Sequence, residues 1–162
     1  MEGVCHAVPA AGDALAAKLI EQEGFPLLFM SGFCVSAVRI GAPDTQLISF
    51  RELAETARDS CAAVSIPVFA DGDTGYGNAL NVRRTVQGFA RAGCAAVMIE
   101  DQLSPKRCGH TKGKKVVGRE EAVDRIRAAH DARCEGEDIV IVARTDARHE
   151  HGLAEAIDRA QA

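Results

Sequence analysis

The feature that most constrains this chain is the recurrence of short apolar runs at residues 27–30, 66–70, 95–99 and 139–143, separated by stretches with helical spacing. Each run is too short for a helix and too apolar for a strand with one wet face, which leaves strands buried on both faces, as parallel sheets require. A fainter run at 5–8 supplies a first strand. The intervening stretches repeat apolar residues at intervals of three and four, through Leu15, Leu19 and Ile20, across 52–64 and 82–90, through Ala122, Val123, Ile126 and Ala129, and through Leu153, Ala156, Ile157 and Ala160. The pitch of roughly 30 to 40 residues is that of a βα unit, so the chain reads as α/β with five units. A closed (β/α)8 barrel needs eight units and about 250 residues. The chain is therefore either an open five-stranded sheet or the first five βα units of an incomplete (β/α)8 TIM-type barrel, with residues 1–162 as a single domain.

Composition narrows the function. Lys and Arg number 19 against 23 Asp and Glu, which leaves a net charge of -4 and no basic footprint for nucleic acid, and 4% aromatic residues offer few rings for bases to stack on. Small molecules are the expected partners. The six cysteines lack paired spacing and read as reduced thiols in a cytoplasmic or plastid protein. No apolar run approaches the roughly 20 residues of a membrane span, and Met1-Glu2-Gly3, with Glu2 and no Arg, does not read as the start of a signal peptide and argues against a cleaved transit peptide.

Chemistry-bearing residues collect where the strands end, the place α/β folds use for ligands. Asp71-Gly72-Asp73-Thr74-Gly75-Tyr76-Gly77-Asn78 follows one apolar run, Glu100-Asp101 the next, and Lys106-Arg107-Cys108-Gly109-His110 lies just beyond. Asp71 and Asp73, two apart on an extended strand end, can point the same way, and Glu100 ends the neighbouring strand. Clustered carboxylates repel unless a cation sits among them, and oxygen ligands suit Mg²⁺, with Mn²⁺ as an alternative. Asp and Gly also favour turns unaided; Glu100 on the next strand tips the reading towards a site. An EF-hand is excluded, because its sixth and twelfth places hold Tyr76 and Val82. Cys108 lies among cations, which lower a thiol's pKa and suit it to proton transfer. His110 either assists or is simply exposed. Zinc would need a second Cys/His pair, and the stretch from Gly109 to Lys115 is one residue short of a phosphate loop. Arg144 can grip a carboxylate through both guanidinium nitrogens or pair with Asp146. Ser31-Gly32 offers a hydroxyl and a close-approach amide. The irregular, glycine-punctuated segment 101–118 has the character of a mobile lid.

Together these residues resemble the isocitrate lyase and phosphoenolpyruvate mutase superfamily, through Ser31-Gly32-Phe33, Gly41-Ala42-Pro43-Asp44, the Asp71 to Asn78 stretch, Ile99-Glu100-Asp101-Gln102, the Lys106 to His110 stretch and Ala143-Arg144-Thr145-Asp146-Ala147. The loop Ser104-Pro105-Lys106-Arg107-Cys108-Gly109-His110-Thr111-Lys112-Gly113 is similar to that of plant-type carboxyvinyl-carboxyphosphonate phosphorylmutase and petal-death-like members. The resemblance implies a (β/α)8 barrel that binds Mg²⁺ and a small 2-oxo or 2-hydroxy dicarboxylate. It puts the metal on Asp71 and Asp73, with Asp44 and Glu100 reaching it through water. Ser31, Gly32, Phe33 and Arg144 would hold substrate, and Cys108, with Lys106 and His110 beside it, would be the acid/base on a closing loop. Cysteine at 108 matches the members that cleave C–C bonds, of the methylisocitrate lyase or oxaloacetate hydrolase kind, whereas the mutases of phosphonate chemistry carry an asparagine-containing sequence there. An inactive, partner-binding fragment is the third reading.

Three departures from the family pattern stand out. Arg107 replaces a lysine, and Gly12 stands where an aromatic precedes Asp13-Ala14, which predicts a loosely packed first βα loop. The resemblance also ends with the fifth helix, leaving three βα units and the helix used in homo-oligomer exchange without counterparts in this sequence, and an edge strand at 139–143.

Overall fold

A computed structural model describes residues 5–162. Five parallel strands, β1 (Ala10–Ala11), β2 (Leu28–Met30), β3 (Val68–Asp71), β4 (Ala96–Glu100) and β5 (Val140–Arg144), lie side by side in chain order. Helices fill the connections: α1 (Ala14–Gln22), α2 (Gly32–Ile40), α3 (Phe50–Ala63), α4 (Ala79–Arg91), α5 (Arg119–Cys134), α6 (Ala147–His151) and α7 (Leu153–Gln161). A doubly wound sheet reverses its strand order at a switch point; this one never does, so its topology is that of five successive barrel units.

Register sorts the strand residues onto two faces. Leu28, Val68, Ala70, Val97 and Ile99 point to the helices and are 2% exposed or less. Phe29 and Phe69 are register partners on the opposite face, with ring centroids 4.9 Å apart, and Met98 and Val142 follow on the same side. The helix layer is well specified locally. Asp13 caps α1 by accepting from the Ala16 amide, and Ser49 with Glu52 and Asn78 with Asn81 close capping boxes on α3 and α4.

Four sequence expectations shift. The first strand lies at Ala10–Ala11 rather than at 5–8. Residues 139–143 are not a strand buried on both faces, because β5 has only β4 beside it and Val140 is 55% exposed. Helix α2 was not foreseen: Phe33, Val38 and Ile40 are exposed, and only Gly32, Val35 and Ser36 are buried, so its apolar residues do not trace one stripe. Finally, the turn at Gly12 is tightly rather than loosely packed. A Cβ there would lie 2.6 Å from the Cys34 carbonyl oxygen, so the absence of a side chain lets α2 close against it.

Candidate active site

The carboxyl ends of the strands gather the polar residues. Asp71 closes β3, and Glu100 and Arg144 close β4 and β5 as register partners. Glu100 is 2% exposed; Arg144 Nη1 lies 3.1 Å from its Oε2, and Glu100 Oε1 has no hydrogen-bond partner. Arg144 also holds Asp146, Nη2 to Oδ2 at 3.0 Å, so the anticipated pairing with Asp146 is present beside one with Glu100 that the sequence did not suggest.

Asp71 and Asp73 meet by a turn, not by the alternation of an extended strand. Asp73 has φ +47°, and its amide donates to Asp71 Oδ1 at 3.1 Å. Gly72 permits this turn, because a Cβ there would lie 2.6 Å from the Met98 carbonyl oxygen. Tyr76, also at positive φ, donates its hydroxyl to Asp73 Oδ2 at 2.8 Å. Non-glycine residues rarely adopt such angles, and here they persist where side chains must converge.

Lys106 reaches in from the long loop and is 4% exposed. Its Nζ lies 2.8 Å from both Asp44 Oδ1 and Asp73 Oδ1. Burial opposes its charge, but the surrounding carboxylates outweigh that cost and hold its pKa above the ordinary lysine value. Burial and the neighbouring charge of Asp71 push Asp73 up to about 6, against the pull of Lys106. Burial likewise raises Glu100 to about 8, although Arg144 and Lys106 favour its ionised form. Four buried carboxylates, Asp44, Asp71, Asp73 and Glu100, together with half-buried Asp146, thus face two cations, Lys106 and Arg144.

Gly32 donates its amide to Asp71 Oδ2 at 3.1 Å, so this amide orients a carboxylate instead of standing free for substrate. Ser31 occupies the cap position of α2 without bonding the helix through its side chain. Phe33, Asp44, Lys106, Cys108 and His110 line an open pocket of about 770 Å³. Phe33 is 52% exposed, Cys108 is half-buried and His110 exposed. Gly109 comes so close to Arg144 that a Cβ would lie 2.6 Å from Nη2, which places the loop directly over the guanidinium. A second cavity of about 220 Å³ lies on the helix side among Ala122, Ile126 and Ala160. Its arginines are already engaged, Arg125 on the carbonyls of Glu100 and Gln102 and Arg159 on Asp101. The charged side chains that lack full compensation converge at the carboxylate cluster, not at this cavity.

The loop 101–118 is fastened more than its glycines suggested. Gln102 and Val116 form an isolated antiparallel bridge, and Leu103 N donates to Lys115 O. Gln46, at φ +58°, accepts from the Lys106 amide and the Ser104 hydroxyl while donating to Thr74. Asp101 accepts from the Thr145 hydroxyl, the Asp146 amide and Arg159. Sequence reasoning assigned no role to Gln46, Tyr76, Asp101 or Arg159; the only available hints were a tyrosine within the Asp-Gly stretch and an Asp adjoining Glu100. Among the described residues, no three His, Cys, Asp or Glu side chains stand together as an open metal cage. The ammonium of Lys106 occupies the space between Asp44 and Asp73.

Residues 2–162 match the family model described as phosphoenolpyruvate phosphomutase. The chain belongs to this family, within the isocitrate lyase and phosphoenolpyruvate mutase superfamily. Relatives include 2,3-dimethylmalate lyase of Eubacterium barkeri, 45% identical over 93% of this chain and 52% of the relative. The chloroplastic carboxyvinyl-carboxyphosphonate phosphorylmutase of Arabidopsis thaliana is 46% identical over 94% of this chain and 46% of its own length. Among solved structures, oxaloacetate acetylhydrolase in complex with 3,3-difluorooxalacetate superposes with a TM-score of 0.92 at 39% identity, covering 95% of this chain and 53% of that one. Phosphonopyruvate hydrolase in complex with oxalate and Mg²⁺ gives a TM-score of 0.84 at 38% identity, over 95% of this chain and 52% of its own. The chain spans about half the length of the curated relatives it matches, and its five units are those of a partial TIM-type barrel. Among the described residues, no helix is long and apolar enough to cross a membrane.

Proposed function

We propose that this chain carries the catalytic residues of a Mg²⁺-dependent lyase or hydrolase that cleaves a C–C bond in a small 2-hydroxy or 2-oxo dicarboxylate. The observation that carries the reading is the imbalance at the strand ends. Asp44, Asp71, Asp73, Glu100 and the half-buried Asp146 against Lys106 and Arg144 leave an excess of negative charge when all are ionised. Burial above all, joined for Asp73 by the neighbouring charge of Asp71, raises Asp73 and Glu100, and Glu100 Oε1 is buried without a donor. These residues therefore fit a hard divalent cation with oxygen ligands. Asp71 and Asp73 would hold it, with Asp44 and Glu100 reaching it through water. Bound there, Mg²⁺ would polarise the substrate's α-oxygen and adjoining carboxylate as a Lewis acid.

The chain's own residues supply the rest. Arg144 would take a substrate carboxylate through its planar fork, exchanging part of its pairing with Asp146. Ser31 would add a hydroxyl at the same end of β2, and Phe33 an apolar wall. Gly32 and Tyr76 keep Asp71 and Asp73 aimed. Cys108, half-buried on the pocket wall beside exposed His110, would deliver the proton to the carbon left when the bond breaks, with the loop above it limiting water. Lys106 serves as counter-ion to Asp44 and Asp73 and ties the loop's position to the carboxylates. Phosphonate chemistry is the competing reading, favoured by the likeness to phosphonopyruvate hydrolase, and a cysteine rather than an asparagine in this loop weighs against it.

The deciding experiment assays a panel of 2-hydroxy and 2-oxo dicarboxylates alongside phosphonopyruvate, with Mg²⁺, on this chain and on a form extended by the remaining barrel units. Turnover of a dicarboxylate that falls by about 10² to 10⁴ in kcat in Cys108→Ala, with KM little changed, supports the assignment. Undiminished turnover in Cys108→Ala overturns the proton-donor role. Turnover of phosphonopyruvate alone moves the chain to phosphonate chemistry, and inactivity of both forms favours a binding role. Calorimetric titration adds a check without substrate: Asp73→Ala should lose Mg²⁺ affinity, and equal affinity would remove the metal from the site.

A further inference from the structure

Away from the pocket, Cys61 near the end of α3 and Cys94 in the turn before β4 bring their sulfur atoms to 3.8 Å, in contact across 33 residues of chain. The approach is built into the backbone. Gly93 has φ +94°, and a Cβ there would lie 3.2 Å from Cys61 Cβ, so a larger residue would push the turn off the helix. The Cys94 amide donates to Phe89 O at 3.1 Å, which fixes the turn against the end of α4. Cys94 is 2% exposed and belongs to the apolar core, whereas Cys61 is half-buried at its margin. The hydrogen bond from Cys94 lowers the Cys61 pKa, while the same bond and burial raise that of Cys94. Cys61 is thus the sulfur that ionises and Cys94 the one that keeps its proton.

We propose that Cys61 and Cys94 are a redox pair that closes to a reversible intramolecular disulfide on exposure to hydrogen peroxide. The Cys61 thiolate attacks one peroxide oxygen, the O–O bond breaks, and the departing hydroxide takes a proton from solvent, leaving a sulfenic acid on Cys61. The Cys94 sulfur then attacks the Cys61 sulfur, the S–O bond breaks, and the hydroxyl leaves as water with the Cys94 proton. Two thiols lose two electrons and peroxide gains them, giving one disulfide and two waters. A small oxidant suits a half-buried sulfur that a bulky disulfide reagent would reach poorly. The bond would staple α3 to the amino end of β4, the end opposite Glu100, so its effect falls on stability rather than on the pocket.

Tryptic mapping of the peroxide-treated chain tests this directly. Arg58 and Arg83 bound a peptide whose only cysteine is Cys61, and Arg91 and Lys106 bound one whose only cysteine is Cys94. After free thiols are blocked, these two peptides should run as one linked species that dithiothreitol separates. The oxidised chain should melt about 5–10 °C above the reduced chain, and that rise should vanish in Cys61→Ser. Recovery of the two peptides apart with both thiols blocked, oxidation of Cys61 to sulfinic acid with Cys94 still free, or linkage of either to Cys108 would each overturn the pairing.

Discussion

The two faces of the sheet are built to different standards. Towards the helices, Leu28, Val68, Ala70, Val97 and Ile99 are sealed under α1, α3, α4 and α5, and capping boxes fix where two of those helices begin. On the other face, Phe29, Phe69, Met98 and Val142 alternate with them along the same strands but remain part-exposed, and the row ends in Asp71, Glu100 and Arg144. One face of the sheet is lined by apolar side chains and concentrates the stability. The other accepts incomplete burial and uncompensated charge, which is the arrangement a ligand or a cation improves.

Adjacent residues of β4 test that contrast with the largest effect. Ile99 is fully buried on the helix side and Met98 part-exposed on the inner side. Ile99→Ala should cost about 2–5 kcal/mol through lost burial and a cavity that rigid helices cannot close. Met98→Ala should cost less, about 1–2 kcal/mol, since part of its side chain already faces solvent. Urea denaturation of both variants measures this, and equal losses would mean that the inner face is as well packed as the outer.

The charge carried by the inner face gives a second, pH-dependent test. Glu100 has an ordinary pKa of 4.5 and is raised to about 8 in the fold, so the folded state binds its proton more tightly than the unfolded chain does. Below about pH 4.5 both states are protonated and no penalty arises. As pH rises from there to about 8 the unfolded chain ionises freely while the fold resists, so stability falls through that window and levels off above it. Asp73 adds to the fall between 3.8 and about 6. In chelator-treated protein, Tm should therefore decline between pH 5 and pH 8, and Glu100→Gln should flatten the decline. An unchanged slope in the variant would show that Glu100 is already compensated by Arg144.

These contrasts also explain what could be read in advance. The runs at 66–70 and 95–99 were legible because apolar residues line both faces and leave no polar alternation, and Asp71, Glu100 and Arg144 followed as the polar residues that close such runs. The edge position of the last run was legible too, and the exposure of Val140 goes with having β4 alone beside it. Helix α2 was hidden because Phe33, Val38 and Ile40 face outward and leave no apolar stripe. The positioning residues were hidden for another reason: Gln46 meets Ser104 and Asp101 meets Arg159 across 58 residues each, and no local pattern announces a contact of that range.

The smallest predicted effect concerns one of those hidden residues. Gln46 joins the long loop to the turn after β3, accepting from Ser104 and the Lys106 amide on one side and donating to Thr74 on the other. It contributes little apolar burial, so Gln46→Ala should barely move the global Tm. Two hydrogen bonds to the loop are lost, each worth about 0.5–1.5 kcal/mol, so the local opening equilibrium of the loop should shift by roughly 5- to 150-fold. Arg107, Lys112, Lys114 and Lys115 are the tryptic sites that report this opening. When opening and reclosing are fast relative to cleavage, the cutting rate follows the open population, and cleavage there should accelerate by the same factor. If Gln46→Ala is cut no faster than the parent chain, the antiparallel bridge between Gln102 and Val116, rather than Gln46, holds the loop over the site. If cleavage rises everywhere along the chain, the clasp belongs to the fold as a whole, and the division between a sealed helix face and a locally opening inner face fails at this point.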